Sequence, residues 1–148
     1  MEYKRIHFTQ RTRSTQRKYY IYRMEINDIT SIIIEECIYI HRELGPGLLE
    51  SVYEEVLFYR LTKRGLFVER QKGIPVIFEE TKMEVGFRAD LIVENRVIVE
   101  LKSLDIIPPV HFKRVVTYLK LTKIKVALMI NFNEVLLKNG IKRIVNIY

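Results

Sequence analysis

Apolar residues early in the chain recur every three or four positions, which is the spacing of one buried helix face. This stripe consists of Ile26, Ile29, Ile33, Cys37, Ile40 and Leu44. It stops at Gly45-Pro46-Gly47, because proline and glycine continue a helix only at a cost. The same spacing predicts a second helix over 48–63, and Gly65 is well placed to end it. The regular part of the chain therefore begins with two helices joined by a short turn.

The apolar period changes to two in the middle of the chain, which predicts strands. We predict strands at 67–70, 74–78, 84–93 and 97–101, with breaks at Lys72-Gly73 and at 79–82. Pro108-Pro109 opens a third helix over 110–122, since proline is tolerated at a helix start. A buried strand at 125–130 and closing strands at 134–137 and 143–147 complete the pattern. This order of elements predicts one α/β domain.

Basic residues are concentrated at the start of the chain. The formal net charge is +7, but residues 1–23 carry seven basic side chains against one acid, so the rest is nearly neutral. The first 23 residues show no periodic apolar pattern, so we predict a disordered leader at 1–23 and a folded domain at 24–148. A basic arm that grips phosphates is the alternative for the leader.

The composition excludes several classes of protein. One cysteine permits no internal disulfide, which is typical of a cytoplasmic protein. No apolar run reaches membrane-spanning length, so no membrane association is expected. The chain has no glycine-rich phosphate loop and no cysteine–histidine spacing for zinc, so neither ATP-driven work nor a zinc site is predicted.

Acidic residues interrupt the predicted hairpin around Glu94-Asn95-Arg96. If the turn is centred on Asn95, the numbers of paired residues sum to 190 and Asp90 lies opposite Glu100. Side-chain alternation then places Asp90, Glu100 and Lys102 on one face of the sheet. The same alternation places Phe87, Ala89, Leu91, Val93, Val97, Val99 and Leu101 on the other face. A turn one residue shorter would shift this pairing.

Two opposed carboxylates repel each other by about 3 kcal/mol at an effective dielectric near 20. Magnesium or manganese would relieve that repulsion, because hard divalent ions prefer oxygen ligands. Lys102 would then stand beside the ion, where it can orient a water or offset charge on a phosphate. The alternative is an ordinary solvent-exposed strand end with Glu100 and Lys102 paired to Arg88 or Asp90. The Glu-x-Lys spacing occurs three times in the chain, so the spacing alone leaves both readings open.

Several ordered motifs resemble those of the GxxExxY protein family, which is assigned to the PD-(D/E)xK nuclease superfamily. The motifs are Gly47-x-x-Glu50-x-x-Tyr53, Gly86-Phe87-Arg88-Ala89-Asp90, Val97-Ile98-Val99-Glu100-Leu101-Lys102, Thr117-Tyr118-Leu119-Lys120-Leu121 and Ile130-Asn131-Phe132-Asn133. The resemblance implies a restriction-endonuclease-like core, with a central mixed β-sheet flanked by helices. It also implies that Asp90 and Glu100 bind Mg²⁺ (or Mn²⁺), that Lys102 is catalytic and that Glu50 is a supporting acid.

One position departs from the superfamily pattern. Relatives often carry a glutamine four residues before a tyrosine on the helix after the lysine, whereas this chain has Arg114 before Tyr118. We predict that Lys113, Arg114 and Tyr118 contact nucleic acid, and we assign His111 no role. The resulting hypothesis is a metal-dependent nuclease acting on nucleic acid, with DNA favoured over RNA. The alternative is a catalytically silent module that binds nucleic acid or a partner protein in a repair, recombination or defence system.

Overall fold

The computed structural model of the protein describes residues 24–147, apart from the side chain of Val85. The leader predicted at 1–23 lies outside the described residues. The described helices are α1 (Ile26–Leu44), α2 (Glu50–Lys63) and α3 (Pro109–Thr122), and a 3-10 helix spans Leu137–Gly140. The strands are β1 (Val68–Phe78), β2 (Thr81–Val93), β3 (Val97–Lys102), β4 (Val126–Asn131) and β5 (Ile141–Val145). No helix among residues 24–147 has the length and apolar character needed to cross a bilayer.

The five strands form one mixed sheet in the order β1-β2-β3-β4-β5. All neighbouring strands are antiparallel except β3 and β4, which are parallel and joined by α3. A parallel connection needs a crossover element, and α3 supplies it. Every residue of β3 and β4 is buried, because helices cover both faces of these two central strands. The predicted α/β class and central mixed sheet are confirmed.

Two hydrophobic clusters occupy the two faces of the sheet. One cluster joins α1 and α2 to the sheet through residues such as Ile33, Leu57 and Val99. The other joins α3 to the opposite face through residues such as Leu119 and Ile98. The domain therefore has three layers, with α1 and α2 on one side of the sheet and α3 on the other.

Two of the predicted strand assignments are wrong. β1 runs without a break through Lys72-Gly73, and its irregularity is a register shift between Ile74 and Val76. Instead of a closing strand, residues 134–136 form bends and Leu137 begins the 3-10 helix. The chain turns there because Glu134 N–H donates to the Asn131 carbonyl, 3.5 Å away, directly after β4.

The predicted face of Phe87 and Ala89 is also wrong. Both pack into the cluster on the α3 side, together with Ile92, whereas Leu91 packs on the α1–α2 side as predicted. Simple alternation therefore fails at Asp90, between Ala89 and Leu91. The neighbouring strand is irregular at the same level, since Gln71 has a positive φ of 47°.

Candidate active site

Asp90 on β2 and Glu100 on β3 lie where the paired ladder of these strands ends. The observed pairs are Leu91 with Val99, Ile92 with Ile98, and Val93 with Val97, which is the predicted register. Beyond these pairs, Leu101 N–H donates to Asp90 Oδ2 at 2.8 Å and Asp90 N–H donates to Glu100 Oε1 at 3.3 Å. Each carboxylate thus accepts a hydrogen bond from a backbone N–H group of the facing strand, as a backbone carbonyl would within the ladder. These two bonds hold the acids side by side.

Lys102 stands next to this acidic pair. Its Nζ is 3.8 Å from Glu100 Oε2, and the two residues are only 9% and 5% exposed. Burying charged groups is costly unless they are paired, so this strand end is not an ordinary solvent-exposed one. The predicted grouping of Asp90, Glu100 and Lys102 is present in the structure.

Burial makes both carboxylates hard to ionise. It raises the pKa of Glu100 to about 8, with repulsion from Asp90 adding to the effect and Lys102 opposing it. Burial also raises the pKa of the half-buried Asp90, against the hydrogen bond from Leu101 and the charge of Lys102. Two acids with limited access to water therefore share one ammonium group, and the site would be stabilised by a further cation.

Glu50 braces the end of β3 from the first turn of α2. Its Oε1 accepts a hydrogen bond from Ser103 N–H at 3.3 Å, one residue after Lys102. The Ser103 hydroxyl in turn donates to the Leu48 carbonyl at 2.6 Å. Ser103 is thus tied both to the first turn of α2 and to the turn before it, and the supporting role of Glu50 stays a prediction.

Tyr53 fixes the same turn from the protein interior. It is fully buried, its hydroxyl donates to the Gly45 carbonyl at 2.6 Å, and it accepts from Leu48 N–H at 3.1 Å. Its ring stacks on Phe132 with centroids 4.2 Å apart. The Gly47-x-x-Glu50-x-x-Tyr53 motif therefore has a physical role, which is to hold the turn that carries Glu50.

The sequence interpretation missed Glu54 and Gln71. Gln71 Nε2 donates to Glu54 Oε2 at 2.6 Å and to Asp90 Oδ1 at 3.3 Å, so it links α2 to the acidic pair. Glu54 is buried and also accepts from Arg70 at 3.2 Å. Glu54 lies one helical turn after Glu50, and that spacing was a usable signal. No local signal marked Gln71.

Asn131 is a further residue whose role was missed. Its side-chain oxygen accepts from the N–H groups of Leu104 and Asn133, and its Nδ2 donates to the Leu104 carbonyl at 2.7 Å. Asn133 Nδ2 donates to Asp105 Oδ1 at 2.8 Å. The Asn131-Phe132-Asn133 segment therefore secures the loop that follows Lys102.

The residues predicted to contact nucleic acid lie on α3 in two different environments. Lys113 and Arg114 are exposed, and the positive charge of Arg114 helps to lower the pKa of Glu100. Tyr118 is only 3% exposed and packs its ring 5.2 Å from that of Phe87, and the charge of Arg114 acts on its hydroxyl. Burial raises the pKa of Tyr118 to about 12. The three contacts stay predictions, and the burial of Tyr118 favours a role in positioning Arg114.

His111, to which the sequence assigned no role, also faces this region. Burial, Lys102 and Arg114 all lower its pKa, so the imidazole is favoured in its neutral form. Its Nδ1 is buried and has no hydrogen-bond partner in the described structure. The first turns of α3 thus place His111 as well as Arg114 near Lys102.

The chemistry of the acidic pair fits a hard divalent cation. Among residues 24–147 no cluster of three or more His, Cys, Asp or Glu side chains could hold a metal ion. Magnesium, however, is commonly bound through only one or two carboxylates and keeps several waters. Asp90 and Glu100 supply two such carboxylates; burial raises the pKa of each, and a bound cation would favour their ionised forms.

Comparison with known proteins agrees with this fold and site. A family model described as the PD-(D/E)XK nuclease superfamily matches residues 27–144. No curated protein and no solved structure matches the chain. The narrower GxxExxY resemblance stays a prediction. Because the superfamily match spans most of the chain, including every residue of the candidate site, the protein belongs to the PD-(D/E)XK nuclease superfamily.

Proposed function

We propose that the protein is a metal-dependent nuclease that hydrolyses phosphodiester bonds in nucleic acid, with DNA as the favoured substrate. The observation that carries this proposal is the acidic pair of buried Glu100 and half-buried Asp90 beside the buried Lys102. Two adjacent acids whose pKa values are raised by burial, beside a specific charged partner, support a functional site. A site that binds a cation and a phosphate needs such groups.

Asp90 and Glu100 would hold the ion, Mg²⁺ or Mn²⁺. When bound, such an ion polarises a phosphoryl oxygen and lowers the pKa of a bound water. The protein holds both carboxylates through backbone N–H groups, from Leu101 to Asp90 and from Asp90 to Glu100. These contacts fix the acids before substrate binds, so little reorganisation is needed at the moment of reaction.

Lys102 is the residue proposed to act on the attacking water or on the developing phosphate charge. Its ammonium group carries three donors, and it is fixed at the edge of the acidic pair by its burial and by Glu100. Glu50 keeps the strand end in place through Ser103. Arg114 and Lys113, both exposed near the start of α3, would contact a neighbouring phosphate.

The deciding experiment compares Lys102→Ala with Lys82→Ala. Lys82 is a matched control, because it is the exposed lysine of the Glu80-Thr81-Lys82 tripeptide and pairs only with Glu84 among the described ion pairs. Cleavage of single- and double-stranded DNA and RNA is measured with Mg²⁺, with Mn²⁺ and with EDTA. We expect metal-dependent cleavage that falls by roughly 100-fold or more in Lys102→Ala and is unchanged in Lys82→Ala. Equal cleavage by the two variants would contradict the role of Lys102.

A catalytically silent module that binds nucleic acid or a partner protein is the second candidate. It is favoured by the contact between Lys102 and Glu100, which partly compensates the acid without any metal. This candidate predicts binding with no metal-dependent cleavage by the folded protein. A cytoplasmic location is proposed with either function, because the single cysteine, Cys37, is buried in the core.

A further inference from the structure

The two helical layers of the domain differ in charge. Together α1 and α2 contain seven acidic residues, which are Asp28, Glu35, Glu36, Glu43, Glu50, Glu54 and Glu55. In contrast, α3 contains none, and no acidic residue occurs in the sequence between Asp105 and Glu134. Because α1 and α2 also contain Arg42, Arg60 and Lys63, their formal charge is −4 (seven acids against three bases), whereas that of α3 is +3 from Lys113, Arg114 and Lys120. The near-neutral total of the folded part is therefore unevenly divided between the two helical layers.

Basic residues follow α3 along its whole length. Lys113, Arg114 and Lys120 are exposed on the helix, and Lys123 lies just after its end. Lys113 and Lys120 are seven residues apart, which places them on the same helix face. The helix rises 1.5 Å per residue, so Lys113 and Lys123 lie about 15 Å apart along its axis, with Lys113 nearer the site.

A pocket lies at the end of α3 remote from the acidic pair. Its described lining is formed by Lys120, Lys123, Lys125 and Asn146. The acid that β1 contributes to this side of the sheet is Glu69, and it is already paired with Lys72 at 2.6 Å. The positive potential along α3 is thus not cancelled by that neighbour.

We propose that this basic surface, defined by Lys113, Arg114, Lys120, Lys123 and Lys125, binds the phosphate backbone of nucleic acid. The choice of nucleic acid as the bound partner rests on the proposed function. The surface begins beside Lys102, where the phosphate that is cleaved would lie. Successive phosphates of one nucleic-acid strand then contact the basic side chains of α3. The pocket at the far end of α3 binds a phosphate several nucleotides away from the cleaved bond. The surface recognises charge and spacing, not base sequence.

The test is a binding measurement in EDTA, which excludes cleavage. We compare the triple variant Lys120→Ala, Lys123→Ala, Lys125→Ala with a control triple variant at Lys63, Lys82 and Lys138. The control removes the same charge from exposed lysines elsewhere in the domain. Residues 1–23 are present in every protein, so their basic side chains contribute equally. Fluorescence anisotropy gives the Kd for labelled DNA of about 20 base pairs over a series of salt concentrations.

We expect the α3 triple variant to lose about tenfold or more in affinity at low salt, and the control to lose much less. The slope of log affinity against log salt should fall by roughly 2 to 3 in the α3 variant, about 0.9 for each lost phosphate contact. The double variant Lys120→Ala, Lys123→Ala should lose about two thirds as much slope, and thermal unfolding checks that each variant is folded. Equal losses in the α3 and control triples would overturn the proposal.

The outcome separates this inference from the nuclease proposal. Wild-type protein that cleaves with metal, while the α3 triple variant binds like the control, would refute the surface and leave the nuclease function standing. Protein that never cleaves, but loses affinity only in the α3 variant, would refute the nuclease function and leave the surface standing.

Discussion

Glu100 is the residue at which burial, charge and hydrogen bonding conflict most directly. It lies on a strand whose other side chains are apolar except Lys102, and it is buried among them. Burial and Asp90 raise its pKa to about 8, while Lys102 and the Asp90 N–H group favour ionisation. The fold would be more stable with an apolar residue of similar volume at this buried position. The cost is understandable if the carboxylate serves to bind a cation.

This conflict predicts an unusual dependence of stability on pH. An unfolded glutamate has a pKa near 4.5, and folding raises the pKa of Glu100 to about 8, so the folded state binds an extra proton between these values. The metal-free protein should therefore lose stability as pH rises through this window. The raised pKa of Asp90 acts in the same direction. Below the window Glu100 is protonated in both states and contributes nothing to the pH dependence.

Glu100→Gln should flatten this curve, because glutamine does not titrate. Thermal unfolding in EDTA from about pH 5 to about pH 9 measures the effect, with Glu84→Gln as the control. Glu84 is exposed on the hairpin, so its variant should follow the wild-type curve. Parallel curves for wild type and Glu100→Gln would show that Glu100 does not carry the raised pKa.

At the scale of elements, the long hairpin of β1 and β2 depends on Gly86. A β-carbon there would lie 1.9 Å from the Ile74 carbonyl oxygen, a backbone atom that cannot move aside freely. The approach coincides with the register shift between Ile74 and Val76. Glycine thus permits the irregularity that separates the outer part of the hairpin from the part that carries Asp90.

Gly86→Ala should therefore lower the free energy of unfolding by about 2 kcal/mol or more. Gly73→Ala is the matched control on the partner strand, since a β-carbon added there would meet no other atom within 4 Å. That substitution should change stability by less than about 1 kcal/mol. Urea unfolding of both variants makes the comparison, and similar losses would contradict the close approach at Gly86.

The elements set by local pattern could be predicted from the sequence. The stripe through Ile33 and Cys37 indicated α1, and the turn at Asn95 indicated the register that brings Asp90 to Glu100. Local pattern could not predict the course of the chain after β4, where Asn131 bonds to a loop distant in sequence. Nor could it predict the continuous β1, because its exposed middle lacks the apolar alternation of a half-buried strand.

In the site, too, local pattern predicted the residues of one hairpin but not the contacts made from other elements. Carboxylates on adjacent strands could be paired by counting from the turn, but Gln71 reaches Asp90 from β1, whose register to β2 no motif revealed. The burial of Tyr118 depends on Phe87, which packs on the face opposite to the one predicted. Contacts between elements therefore decided which residues support the site and which face the solvent.

At the scale of the whole molecule, the acidic site and the basic surface lie on different parts of one domain. The acids of β2 and β3 can bind a cation but repel phosphate, so affinity for nucleic acid must come from elsewhere. The layer formed by α3 supplies positive charge beside the site, whereas α1 and α2 carry the acids. The fold thus separates the groups proposed to bind metal from the surface proposed to bind the backbone.

Titration calorimetry with Mn²⁺ near pH 8 tests directly whether Asp90 and Glu100 bind a metal ion, and it requires no knowledge of the substrate. Wild type, Asp90→Asn, Glu100→Gln and the control Glu84→Gln are compared. We predict one binding site in wild type and in Glu84→Gln, and its loss in Asp90→Asn and Glu100→Gln, because the two adjacent carboxylates provide the ligands. Equal binding by all four proteins, or no binding by the folded wild type, would contradict the claim that Asp90 and Glu100 form a metal site.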